Sequence, residues 1–393
     1  MKLSDFKITE PIPDEVLGLV KEYLKSGELF RYIQETSEVT KLEQEFAKYL
    51  GVRFALAVNS CSSALFLALL SLGVRPNDRV IVPAFTFGAV PSSIVHAGAT
   101  PVLVEVTDNY RVDIGDFENI IKENVRAVII SHMRGHTSDM DAITKICSEN
   151  NVPLIEDAAH SLGSKWQGKK VGSIGSVGCF SFQSYKLING GEGGMLVTNS
   201  EDVIAKAVIM SGAYENNWRN HNFNFTNIFE KYENRLPIYN MRLNNLSAIL
   251  IRAQISLIED RARRGLEKVN YLKALLSRSK LISIPEVNNR EEQSPDSIQF
   301  NLIDFSKDEA SQFMKLVRDR GLSLYVLGLH EGNARVFWNW KFLGDIPELP
   351  KTKRVLMKAC DMRVPLTFDQ EQLRMIAETI ISTLSEVKNK NVP

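Results

Sequence analysis

Three short segments carry the residue types that covalent carbonyl chemistry needs, and each follows an apolar, β-branched run. The richest is Phe180-Ser181-Phe182-Gln183-Ser184-Tyr185-Lys186, followed by Gly190-Gly191-Glu192-Gly193-Gly194. A lysine in a turn of serine, glycine and aromatic residues can lose its proton when desolvated, and a neutral amine is what a Schiff base requires. A lone lysine reads as solvated surface; this one has Asp157 and Ser181 as company. Asp157 belongs to Ile155-Glu156-Asp157-Ala158-Ala159-His160, where an apolar strand pattern ends in carboxylates and a histidine. In an open α/β sheet that edge is where ligands bind. A carboxylate there can hold a protonated pyridine nitrogen and keep the ring an electron sink; alone, it would as readily cap the next helix. The third segment is Asn59-Ser60-Cys61-Ser62-Ser63, between a strand ending at Val58 and a helix opening near Ala64. Free N–H groups at a helix start, with small hydroxyls, make a phosphate seat. The plainer alternative is that Ser62 or Ser63 is the helix N-cap. Neither a Walker loop nor a Gly-x-Gly-x-x-Gly turn is present there.

These segments need a scaffold that brings strand ends to one edge. Apolar residues recur at helical spacing from Asp14 to Tyr49, with a Lys-Ser-Gly-Glu break, which predicts two entry helices. Short apolar runs then alternate with helical stretches: Phe54 to Val58, a helix from Ser62 to Leu72, Arg79 to Pro83, a helix through Ile94, and Pro101 to Val106. The alternation continues with Ala127 to Ser131, a helix through Ile146, Pro153 to Glu156, Gly178 to Phe182 and Gly194 to Thr198. Strands buried on both faces and linked by helices predict an α/β fold with a mostly parallel sheet. The polar, aromatic stretch Tyr214 to Asn234 is too long for a tight connection and reads as a functional loop. A long helix from about Leu243 to Leu276 leads to a smaller α+β unit with a strand at Ser297 to Ile303 and a helix at Lys307 to Arg320. The expected division is a large domain over 1–250 and a small one over 251–393, ending in a frayed tail from Lys388.

Composition narrows the partners. In 393 residues, 47 lysines and arginines balance 47 aspartates and glutamates, so no net charge argues for nucleic acid or an anionic membrane. Cys61, Cys147, Cys179 and Cys360 show no C-x-x-C spacing, against a zinc site, an iron-sulfur cluster or a disulfide framework. No signal peptide is visible, and the apolar run from Ala64 to Leu72 falls far short of a membrane span of roughly 20 residues. A soluble cytoplasmic protein acting on a small molecule, without a metal, is the expectation.

Taken together, the motifs resemble those of the DegT/DnrJ/EryC1/StrS aminotransferases, pyridoxal 5'-phosphate (PLP) enzymes of fold type I that aminate keto- or aldehydo-sugars and cyclitols. The resemblance covers nearly the whole chain. It runs through Leu42-Glu43-x-x-Phe46-Ala47, Asn59-Ser60-x-x-Ser63-Ala64-Leu65, Pro83-x-x-Thr86-Phe87, Gly98-Ala99-x-Pro101, Glu156-Asp157-Ala158-Ala159-His160, Ser181-Phe182-x-x-x-Lys186, Gly191-Glu192-Gly193-Gly194 and Tyr239-Asn240-x-Arg242. It implies that Lys186 is the Schiff-base lysine and proton shuttle, that Asp157 keeps the pyridine nitrogen protonated, and that His160 approaches the phenolic oxygen. It further implies that Phe87 stacks on the ring, that Ser62, Ser63 and Ser181 bind the phosphate, and that Asn240 reaches the partner's phosphate in a homodimer. Cys61-Ser62 stands where glycine-threonine is usual, and Gln183 where a small residue is frequent.

The implied reaction is a two-stage transfer: glutamate or glutamine gives up its amine and leaves as a keto acid, and a carbonyl sugar then takes the amine. His132-Met133-Arg134-Gly135-His136 follows a strand, so Arg134 can clamp a substrate carboxylate or form a structural ion pair. That segment, with Leu329-His330 and Trp338-Asn339-Trp340, resembles the branch that makes 8-amino-3,8-dideoxy-octulosonate for surface polysaccharide, with Arg134 and His330 as substrate contacts. The alternatives are a nucleotide-linked keto-sugar or cyclitol aminotransferase, a PLP-dependent sugar dehydratase, or a non-catalytic PLP-binding regulator. Lysine at position 186 counts against the dehydratases, which resemble this family but carry histidine there.

Overall fold

The computed structural model describes residues 2–33, 36–221 and 223–390. Seven strands form the main sheet: β1 (Phe54–Val58), β2 (Arg79–Pro83), β3 (Thr100–Val104), β4 (Val125–Ser131), β5 (Leu154–Asp157), β6 (Val177–Ser181) and β7 (Gly194–Thr198). Their order is β1-β7-β6-β5-β4-β2-β3. The pairs from β6 to β3 are parallel, while β7 runs antiparallel to both β6 and β1. The expected mostly parallel sheet is therefore present, with β7, next to the β1 edge, as the one reversed strand.

Alternation along the strands explains why helices cover both faces. On one side Val80, Val82, Ala127, Ile129 and Leu196 pack against α3 (Cys61–Ser71), α4 (Ala89–His96) and α7 (Glu201–Gly212). On the other, Ile81, Val128 and Ile130 meet α5 (Ile114–Ile120) and α6 (Met140–Glu149), and Ala57, Met195 and Val197 meet α2 (Glu38–Leu50) and α9 (Asn245–Arg252). The entry helices are α1 (Leu17–Ser26) and α2; Ser37 caps α2 by accepting from Thr40 N–H at 3.2 Å. None of the helices among the described residues is long and apolar enough to cross a membrane.

The long helix expected from Leu243 is two helices. It breaks after α9, and α10 (Ile258–Leu276) resumes beyond a single 3-10 turn. Gln254 occupies the break, where its buried side chain accepts from Asn189 N–H at 3.1 Å and donates to Asn189 C=O at 2.7 Å. Satisfying a buried turn beyond Lys186 thus competes with helix continuity. The smaller sheet, β8 (Ile282–Ser283), β9 (Ser297–Leu302), β10 (Leu324–Val326) and β11 (Ala359–Arg363), has the order β8-β9-β11-β10 and is antiparallel throughout. It packs on α10, α11 (Lys307–Asp319) and α13 (Gln370–Lys390), with Phe6 from the N-terminal segment in the same core. The remaining helices are α8 (Asn227–Tyr232) and α12 (Pro350–Leu356). The tail expected from Lys388 is helical to Lys390, and the Lys388 ammonium pairs with Glu309 at 3.0 Å; residues 391–393 lie outside the described residues.

None of the described residues from Tyr214 to Asn234 lines the main cavity. Trp218 stacks on Phe229 at 4.7 Å, Phe223 and Phe225 join the stack, and both contact Phe54 at the antiparallel edge. Its aromatic content packs against the sheet.

Candidate active site

A cavity of about 490 Å³ opens at the C-terminal ends of the parallel strands, between the main sheet and the small lobe. Register places it: Ser131, Asp157 and Cys179 are direct neighbours across β4, β5 and β6. Because side chains alternate along a strand, Glu156 and Asp157 face opposite ways. Glu156 is fully buried, accepting N–H bonds from Gly172, Ile174 and Gly175 at 2.6–2.8 Å and meeting His132 Nε2 at 3.1 Å. Asp157 lines the cavity, held by the Ser131 hydroxyl at 2.8 Å and by Ala159 N–H at 3.0 Å. One acid is structural; the other is presented.

Lys186 lines the same cavity with its ammonium nitrogen 3.0 Å from His160 Nε2. Burial, against partial support from Asp296, lowers its pKa from 10.5 to about 8. Burial and the adjacent Lys186 charge push His160 well below the usual histidine range, so its imidazole is neutral and accepts from the lysine. Cys61 Sγ is 3.8 Å from Asp157 Oδ1, and burial with that carboxylate keeps the thiol protonated.

The start of the helix expected to seat a phosphate differs from the sequence expectation. Helix α3 begins at Cys61, one residue before Ser62 and three before Ala64, and the N-cap is Ser60, whose Oγ accepts from Ser63 N–H at 3.1 Å. Capping in this way leaves Cys61 and Ser62 N–H to an outside acceptor. Ser62 lines the cavity, whereas the Ser63 hydroxyl donates to Asn59 Oδ1 at 2.6 Å and faces an adjoining recess. Gly194 explains the glycine run: a Cβ there would lie 2.3 Å from the Ser60 carbonyl carbon, so only glycine lets β7 pass under the helix start.

Phe87, 42% exposed, and Ser181, at the end of β6, also line the cavity. Gln183 lines it too, with its Oε1 accepting from Tyr185 N–H at 2.9 Å. Asn240 is exposed and outside this lining. Arg134 faces the cavity in a left-handed backbone conformation (φ 57°), its guanidinium 2.5 Å from Asp361 and 3.6 Å from Asp296. His330 is outside the lining, packed on the Tyr325 ring with centroids 4.2 Å apart. Trp340 is buried and donates from its indole to Ala334 C=O at 2.9 Å.

Sequence reasoning missed Asp296, Arg335 and Arg363, which the small lobe adds to the cavity wall. Nothing local marks them; the only available signal was the position of Asp296 just before an expected strand.

A lysine with a lowered pKa, a carboxylate fixed at a strand end, a capped helix start with unspent N–H groups and a glycine-cleared floor together fit PLP. The Schiff-base, ring-nitrogen and phosphate requirements each find a separate group on this chain.

The comparisons agree with that fit. A family model described as the DegT/DnrJ/EryC1/StrS aminotransferase family matches residues 12–380. The chain is 34% identical over 243 residues to the GDP-perosamine synthase of Caulobacter vibrioides, covering 61% of this chain and 62% of that one. It is 36% identical over 260 residues to the 3-amino-5-hydroxybenzoate synthase of Amycolatopsis mediterranei, covering 66% and 64%. Across four of the most similar curated relatives the matched stretch spans between about half and just under two thirds of the relative's length. A crystal structure of 3-amino-5-hydroxybenzoic acid synthase superposes with a TM-score of 0.83 at 26% identity, covering 97% of this chain and 99% of that one. On the family match, the shared fold and the cavity chemistry, the chain belongs to the DegT/DnrJ/EryC1/StrS aminotransferase family, with PLP as its cofactor.

Proposed function

We propose that this chain transfers an amino group from glutamate or glutamine to a keto- or aldehydo-sugar and releases the matching keto acid. The observation that carries the reading is the Lys186 amine, lowered to about 8, set 3.0 Å from a neutral His160 in the cavity that also presents Asp157. When bound, PLP supplies the electron sink for a carbanion at the substrate carbon.

In this reading the chain's own groups divide the remaining work. Lys186 Nζ takes the proton from the donor α-carbon and later delivers one to the acceptor's carbonyl carbon. His160 accepts from Nζ and keeps it aimed, and it approaches the phenolic oxygen. Asp157 holds the proton on the ring nitrogen. Ser62, Ser181 and the α3 N–H groups take the phosphate, with Ser63 bracing the turn through Ser60 and Asn59. Phe87 covers the ring face. Asn240, exposed on this chain, reaches the phosphate of a second copy, which makes a homodimer the active unit. The cysteines are free thiols, in keeping with a reducing cytoplasm.

Among acceptors we favour a sugar acid, with the 8-oxo octulosonate that yields 8-amino-3,8-dideoxy-octulosonate as the specific candidate. Arg134, Arg335 and Arg363 line the cavity beside Asp157, Glu192 and Asp296, and Arg335, with which none of these carboxylates forms an ion pair, supports an anionic acceptor. PLP-loaded protein mixed with glutamate or glutamine alone should release one equivalent of keto acid per site, and Lys186→Ala none. No keto acid from either donor would overturn the reading; ammonia or water in its place would assign a lyase.

A further inference from the structure

The cavity's cations are not equivalent. Arg134 is neutralised by Asp361 at 2.5 Å and Asp296 at 3.6 Å. Arg363 spends hydrogen bonds on the carbonyls of Phe6 and Ile8. Arg335 has neither compensation: all three carry a buried Nε without a hydrogen-bond partner, but among the described residues Arg335 alone of the three has neither a carboxylate ion pair nor a carbonyl bonded to its guanidinium. Burial, and then the Arg134 charge, bear against its protonated form, with only partial relief from Asp361 and Asp296. A guanidinium stays charged under such pressure, so an unneutralised one in a cavity wall is suited to pair with a substrate carboxylate.

The position is also rigid. Ala334 C=O, one residue away, accepts from Gly88 N–H at 2.8 Å and from the Trp340 indole at 2.9 Å. Asn333, buried, accepts from Arg335 N–H at 3.0 Å and donates to Leu327 C=O at 3.1 Å. The loop is thereby pinned to the turn that carries Phe87, and the guanidinium lies 5.9 Å from the Phe87 ring centroid.

From this we propose that Arg335 is the carboxylate anchor of the cavity, gripping the acid group of the amino donor and then that of the acceptor. It rests on the aminotransferase reading: the two substrates occupy one cavity in turn, so one preorganised fork can serve both. The tryptophans of this loop then act as packing that fixes the anchor, not as substrate contacts.

Two arms test it on the PLP-loaded protein. Glutarate, which carries the donor's two carboxylates without its amine, is titrated calorimetrically into wild type, Arg335→Gln and Arg335→Lys. Arg335→Gln should weaken glutarate binding by roughly 10- to 100-fold, and Arg335→Lys by less. In the second arm, amine-loaded protein is offered succinic semialdehyde against butanal; wild type should prefer the acid and Arg335→Gln should lose the preference. Unchanged glutarate affinity in both variants, or a retained acid preference, overturns the shared anchor. The underlying reading fails separately, when wild type gives no keto acid from glutamate or glutamine even though glutarate binding depends on Arg335. Since the loop's contacts at Ala334 are made by the backbone, both variants should melt within a few degrees of wild type.

Discussion

The Schiff-base role proposed for Lys186 requires its amine to be deprotonated, and its surroundings set how readily that happens. A solvated lysine holds its proton to 10.5, whereas burial lowers Lys186 to about 8. The gap corresponds to roughly 3 kcal/mol against the charged form. At pH 8 about half of Lys186 is neutral, against well under about 1% of a solvated lysine, a gain in reactive amine of more than about 100-fold. The perturbation is pH, and the assay is the rate of PLP capture by apoprotein, followed by absorbance and divided by the rate constant of the neutral amine of N-acetyl-lysine at the same pH, which removes the titration of PLP itself. The referenced rate should rise with pH, bend near 8 and level off above. Asp296→Asn should shift the bend downward, because Asp296 is the largest charge favouring the protonated lysine. Its loss also frees Arg134, which acts in the same direction. A bend near 10, or an upward shift in Asp296→Asn, would refute the reasoning.

Three further outcomes follow from single contacts. Gly194→Ala should cost about 1–3 kcal/mol and weaken PLP retention in equilibrium dialysis, because its Cβ meets the Ser60 backbone at 2.3 Å; Gly191→Ala, with open space around it, should cost only the roughly 1–2 kcal/mol of its left-handed backbone. Glu43 pairs with Arg31 at 2.6 Å in the core and is lowered to about 2, so its contribution, roughly 3 kcal/mol, is present above 4.5 and lost as pH falls from there to about 2. His221, lowered to about 4, withdraws stability in the same direction as pH falls from 6.5, so thermal melts of Glu43→Gln should be weaker at pH 7 but flatter on the acid limb than wild type. Asn240→Ala should leave the melting temperature within about 1 °C, since its side chain is exposed, yet lower PLP affinity and bring on cofactor loss at the dilution where light scattering shows dimers dissociating.

What could be seen in the sequence was what lies beside a strand. Asp157, Ser181 and Lys186 follow apolar runs directly, and the parallel sheet turns that adjacency into a shared edge. The helix start was expected at Ser62 to Ala64 and lies at Cys61, because several neighbouring serines can each cap, and the packing of Gly194 beneath Ser60 selects one. The break at Gln254 left no trace in the apolar periodicity, since its cause is a buried hydrogen-bond demand from Asn189, far away in the chain. Arg335 and Arg363 were invisible for a similar reason. An arginine over a cavity and one in solvent look alike until the small lobe is folded against Phe87 and Tyr185. Arg134, visible because it follows β4, turned out to be already paired with Asp361.

The most direct test of the central claim is to reduce PLP-loaded protein with borohydride and map the modified residue by peptide mass spectrometry. The expected result is one pyridoxyl group per chain, on Lys186, with none on the Lys186→Ala variant. Label spread over surface lysines, or a Lys186 peptide that stays unmodified while PLP is bound, would contradict it.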